Sequence, residues 1–155
     1  MTLPTSLFNA SCSVQRGTFY ILALAKKEAY MTAPLRFIAT GRHISEYPDP
    51  VSFTRGTYLT IREKYVGEEG WDNWFYCIVP GGTGGWVPAQ VFFRFEGTFR
   101  GIAMEDYTAR ELEVKKGDEV DGLRSMNGWM WCERLSDGQT GWVPLSLLHK
   151  HEGKI

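Results

Sequence analysis

Long apolar runs are missing from this chain. The most extended, Phe19 to Ala25, falls well short of the roughly 20 residues that a bilayer-spanning helix needs. An excess of one charge is missing too. Lys and Arg number 17 against 18 Asp and Glu, with no basic stripe, so the electrostatic footprint of a nucleic-acid binder is absent and neither nucleic acid nor membrane is expected as a partner. Cysteine is sparse: Cys12, Cys77 and Cys132 form no CxxC pair, which argues against a zinc or redox motif and suits a reducing, cytoplasmic location. The only histidines are His43, His149 and His151. A metal site needs three or four converging ligands, so neither a metal nor any other cofactor is expected.

Catalytic arrangements are equally hard to find. Glu68-Glu69 and Asp118-Glu119 are adjacent pairs, and neighbours on a strand point to opposite faces. Pro80 to Gly85 is glycine-rich, but no Lys-Ser/Thr follows it, so it reads as a hairpin rather than a phosphate loop. Cys77 and Cys132 fall at strand positions where cysteine is an inert small hydrophobe. No catalytic residue is assigned, and the chain is read as a non-enzyme.

Aromatics are plentiful, at 14% with six Trp, and 17 Gly with seven Pro imply many turns between short strands. Three blocks occur twice in the same order. Val51–Gly56 matches Leu112–Gly117, Trp74-Phe-Tyr-Cys77 matches Trp129-Met-Trp-Cys132, and Gly85-Trp-Val-Pro88 matches Gly141-Trp-Val-Pro144. The repeats span 35–96 and 97–150, and the linker near Arg94–Thr98 is too short for free rotation, so the units pack or hold a fixed angle. Residues 1–34 are read as an N-terminal extension, either disordered or upstream of the native start at Met31. Ala23-Leu24-Ala25 imitates a signal-peptide cleavage site, but Lys26-Lys27-Glu28 follow at once. Within each repeat, alternation and turn signals such as Asn127-Gly128 and Asp137-Gly138 predict a small five-stranded barrel.

Read in order, Ala103-Met-Glu-Asp-Tyr107, Glu111–Asp118, Gly128-Trp-Met-Trp131 and Gly141-Trp-Val-Pro144 resemble a Src-homology 3 (SH3) domain. The likeness is closer to the variant SH3 domains of bacterial proteins than to signalling ones, and the first repeat resembles the family more distantly. The expected fold is therefore all-β, two five-stranded SH3-like barrels in tandem. The implied function is a module that holds a protein or peptide, such as a proline-rich polyproline II segment in an aromatic groove. The resemblance assigns Tyr107, Trp129, Trp142 and Pro144 to the second groove and Glu111 and Glu113 to its acidic loop; by alternation Trp131 shares the face of Trp129, as Tyr76 shares that of Trp74, and widens the apolar strip. In the first repeat it assigns Trp74, Trp86 and Pro88, with Glu46 and Asp49 as the acidic pair. Because Trp74 and Trp129 alternate against Cys77 and Cys132, core cysteines would turn both indoles outward. Groove tyrosines of the family are replaced by Glu105 and Leu147 in the second repeat and by Gly41, His43 and Val91 in the first, so recognition of a PxxP peptide is expected to be weakened, more so in the first. Two further readings stand beside this one: cell-wall (peptidoglycan) binding if the protein is exported, and a structural role in which the aromatic faces bury each other or form a homodimer.

Overall fold

Short strands are the main regular element of the computed structural model, which describes residues 34–153; the expectations for the N-terminal extension and its Cys12 lie outside the described residues. The strands are β1 Leu35–Ala39, β2 Ser52–Phe53, β3 Tyr58–Lys64, β4 Trp74–Ile78, β5 Gly84–Pro88 and β6 Phe92–Arg94 in the first repeat. The second contains β7 Arg100–Ala103, β8 Tyr107–Thr108, β9 Glu119–Met126, β10 Trp129–Arg134, β11 Thr140–Pro144 and β12 Leu148–Lys150. Single 3-10 turns at Ala89–Val91 and Leu145–Leu147 follow Pro88 and Pro144, where proline ends the ladder for want of an N–H.

Two five-stranded sheets result, as expected, but the chain does not hand one repeat to each. The first sheet has the order β5-β4-β3-β7-β6 and the second β11-β10-β9-β1-β12. The opening strands have changed places: β7, from the second repeat, lies between β3 and β6, while β1, from the first, lies between β9 and β12. The cause is the linker. Phe95 to Phe99 closes a tight hairpin, with the Phe95 N–H donating to the Arg100 carbonyl (2.9 Å) and Gly97 at φ 68°. A hairpin this short delivers β7 antiparallel beside β6, which is the slot an opening strand occupies in such a sheet. β1 is thereby displaced and fills the vacant slot of the other barrel.

The loops after the opening strands are exchanged as well. β2 pairs with β8, and His43 bridges Val114. Packing follows the same division. Ala103 and Tyr107 belong to the core of Leu59, Ile61, Cys77 and Val87, whereas Ala39 and Phe37 belong to that of Val120, Cys132 and Val143. Gly122 is required by this arrangement, since a Cβ there would sit 2.7 Å from a ring carbon of Phe37.

Since each barrel contains a strand of the other repeat, neither can open without disturbing its neighbour. Ile61→Ala, a truncation in the first core, should cost about 2–5 kcal/mol and lower the unfolding midpoint of both barrels together. Urea unfolding monitored by Trp fluorescence and by amide exchange on β9–β12 checks this; a second barrel whose exchange is unaltered would show the two to be independent.

Candidate functional site

The outward face of β4 meets the turn between β9 and β10. Asn127-Gly128 takes left-handed backbone at both positions (φ 48° and 87°), the geometry of a type I′ hairpin. That turn presents three groups to the first barrel. The Asn127 carbonyl accepts from Trp74 Nε1 (3.0 Å). The Asn127 amide exchanges two hydrogen bonds with the Gln90 amide (2.6 and 2.8 Å). Gly128 lies under Trp71, where a Cβ would approach the indole to 2.7 Å. Trp71 comes from the loop 65–73 that lengthens the first repeat, and its ring packs on Trp129 at 4.9 Å between centroids. Trp74 meets Trp129 edge-on at 6.4 Å.

The expectation that both groove tryptophans face solvent is therefore corrected. Trp74 is only 6% exposed, although Cys77 and Cys132 are fully buried as alternation required. Alternation gives the face relative to a strand's own barrel and cannot register a second barrel lying over it. Trp129 is half-buried, with His43 edge-on to it at 5.5 Å.

Between the barrels lies one cleft of about 480 Å³. It brings together most of the expected residues: Trp74, Trp86 and Asp49 from the first repeat, and Tyr107, Glu111, Trp129, Trp142 and Pro144 from the second. Three others fall elsewhere. Pro88 is buried beneath Trp74 as its cross-strand partner. Trp131 packs edge-on against Trp142 (5.4 Å) with the Arg110 guanidinium over its ring. Glu113 lines a separate charged depression with Arg42, Lys115 and Arg134.

Strand exchange also redistributes the groove residues. Tyr107, placed by the resemblance in its own repeat's groove, donates its hydroxyl to the Trp86 carbonyl of the first (3.1 Å). Burial pushes that hydroxyl well above the ordinary tyrosine range. His43 takes the reciprocal position beside Trp129 and is bonded through Nε2 to Glu111 (2.9 Å). Trp142 is 5% exposed and donates to the Thr108 carbonyl (2.9 Å).

The cleft is acidic. Glu46, Asp49, Glu69 and Glu111 line it, and among the described residues no Lys or Arg does. The Tyr65 hydroxyl donates to Glu69 (2.8 Å), which holds that carboxylate below its ordinary range and lifts the tyrosine above its own. A concave surface with aromatic walls and several carboxylates can take an extended apolar chain bearing a cation. Asn127, Gln90 and Tyr65 were not singled out from the sequence. The one signal for them was the Asn-Gly pair, which marks a turn without saying what the turn touches.

Both groove regions belong to recognisable family segments. The profile of the variant SH3 domain matches residues 36–92 and 100–150, more than half of the chain, and the chain belongs to that family. Among curated proteins it is similar to the human SH3 and PX domain-containing protein 2B, at 26% identity over 134 residues. That match takes in 77% of this chain but 14% of the human protein, so the chain spans a small part of that relative's length. Membership of the family makes the chain an interaction module in general terms.

Burial raises the Cys77 and Cys132 thiols from 9.0 to about 12. Below pH 9 the thiols are neutral in folded and unfolded chains alike. Between pH 9 and 12 only the unfolded chain ionises, so stability falls as pH rises through that window, by up to about 1.4 kcal/mol per pH unit for each thiol. Cys132→Ala should therefore reduce the loss of stability between pH 8.5 and 10.5, measured by urea unfolding. An identical pH slope in wild type and variant would contradict the assignment.

Proposed function

We propose that the chain is a non-catalytic module that holds one extended, proline-rich peptide with flanking Arg or Lys in the shared cleft, both barrels contributing to a single site. The observation that carries this reading is the merging of the two aromatic faces into one acidic cleft lined from both repeats. A polyproline II segment is preformed and offers flat apolar edges to the exposed parts of Trp86 and Trp129. The Glu46 and Asp49 side chains, exposed at the rim, are placed to pair with a cation on either flank. Trp74, spent on the contact between barrels, serves as structure rather than as ligand surface, and to that extent the structural reading is favoured for this one residue. Among the described residues, Cys77 and Cys132 are unpaired, which accords with a cytoplasmic location for this activity.

The test is an array of PxxP peptides flanked by Arg or by Glu, followed by calorimetry on the best binder. Arg-flanked peptides should bind with one peptide per chain, and Trp129→Ala should weaken them by about 2 kcal/mol, roughly thirtyfold. Two independent peptides per chain, equal binding of Glu-flanked peptides, or no binding by any peptide would each overturn the proposal.

A further inference from the structure

The first strand and the segment after it are fastened to the second barrel, whereas the chain that carries them belongs to the first. β1 pairs on both edges, with β9 and β12. Arg36 forms an ion pair with Asp121 (3.1 Å), the Ala39 N–H donates to the Asp118 carbonyl (2.8 Å), and His43 exchanges backbone hydrogen bonds with Val114. Among the described residues, no hydrogen bond joins Pro34–Ile44 to the first barrel. The arm returns to that barrel through Tyr47-Pro48-Asp49-Pro50, exposed over Tyr47–Asp49, with Val51 already buried in the first core. Two prolines lock φ there, and each disfavours helical backbone at the residue before it, so the segment is stiff and extended and cannot relax into a compact turn.

We propose that a second copy of this chain can receive the arm, giving a reciprocally exchanged dimer in which β1 of each copy completes the second barrel of the other. No new interface is needed: the pairings of β1 with β9 and β12, the Arg36–Asp121 pair and the His43–Val114 bridge are all re-formed between copies, and only the hinge Tyr47–Pro50 changes course. The other exchanged strand, β7, is excluded from this step because its hairpin holds it beside β6. In the reciprocal two-fold exchange both arms and both acceptor slots are used, so that pair is closed.

Competition between the tethered arm and a foreign one is set by effective concentration, in the millimolar range for a short linker. Roughly half of the chains should therefore be dimeric near ~1 mM and under about a tenth near ~10 µM. The test is made in the full chain with Cys12→Ser. One preparation carries Arg36→Cys and another Asp121→Cys, residues that lie directly opposite each other on β1 and β9. Mixed near ~1 mM and then oxidised, the two should yield a disulfide-linked pair that neither gives alone, and the yield should drop several-fold on mixing near ~10 µM. The double variant, Arg36→Cys with Asp121→Cys in one chain, should bridge within the chain at low concentration, which establishes that the fold and the geometry survive. Replacing Pro48 and Pro50 by Ala should lower the dimer fraction several-fold. The proposal is overturned if the double variant bridges internally while the mixture never links, or if light scattering finds a dimer that carries no cross-link.

Discussion

The architecture depends on how little chain joins the two repeats. A turn from Phe95 to Phe99 is the length of a hairpin, and a hairpin lays the following strand against the preceding one. In a sheet of this family the place beside the closing strand is that of the opening strand. The linker therefore delivers β7 to the first barrel whatever its sequence kinship, and β1 must go to the second. A longer, flexible connection would remove the constraint, since the ends of a loop can separate at small entropic cost once several residues are added. Here topology follows from a count of linker residues rather than from side-chain preference.

The site inherits this. Each groove contains one residue from the other repeat's opening segment, Tyr107 beside Trp86 and His43 beside Trp129. The two faces are held close enough for Trp71, Trp74 and Trp129 to form a continuous aromatic wall. The Asn127 turn fixes their angle through side-chain and backbone hydrogen bonds to Gln90, Asn73 and Trp74. A cleft framed by two interlocked barrels is rigid at its base, so a ligand held there would meet a preformed surface with little ordering entropy to oppose it.

Much of this was legible in the sequence. The duplicated blocks, the strand content, the buried cysteines and the tight turn at Asn127-Gly128 all follow from local rules of alternation and turn chemistry. The pairing partner of β1 was not legible, because Leu35–Ala39 and Arg100–Ala103 both present a small core residue at the end of a short strand, Ala39 and Ala103, and that shared pattern does not tell the two strands apart. The burial of Trp74 was illegible for a related reason. Alternation distinguishes two faces of a strand, but whether the outer face meets water or another barrel is a tertiary fact. Glu113 was placed by its nearness in sequence to an acidic loop, yet two residues beyond Glu111 the chain has left the cleft, and Glu113 lines the depression that also holds Arg134.

The departures from the family's groove pattern make sense in these terms. Glu105 stands where a groove tyrosine is expected and pairs instead with Arg124. Since Glu105 follows β7 in the first barrel and Arg124 lies on β9 of the second, the substitution replaces a ligand contact with a tie between barrels. His43, through Glu111, fastens the exchanged arm to the second barrel. At Leu147 the backbone carbonyl receives the Thr40 N–H (2.8 Å), and the side chain packs over Gly41, so the segment that holds the incoming arm is the one that lost its tyrosine. Three positions that would have received prolines in separate grooves now secure one barrel to the other or the exchanged arm to its host. What each groove gave up in pockets, the pair recovered as a common acidic cleft with fixed walls. An exposed surface ion pair such as Glu105–Arg124 contributes little stability by itself, and its significance is geometric: it lies beside the exchanged strand and resists rotation of the two walls that a single ligand would have to touch at once.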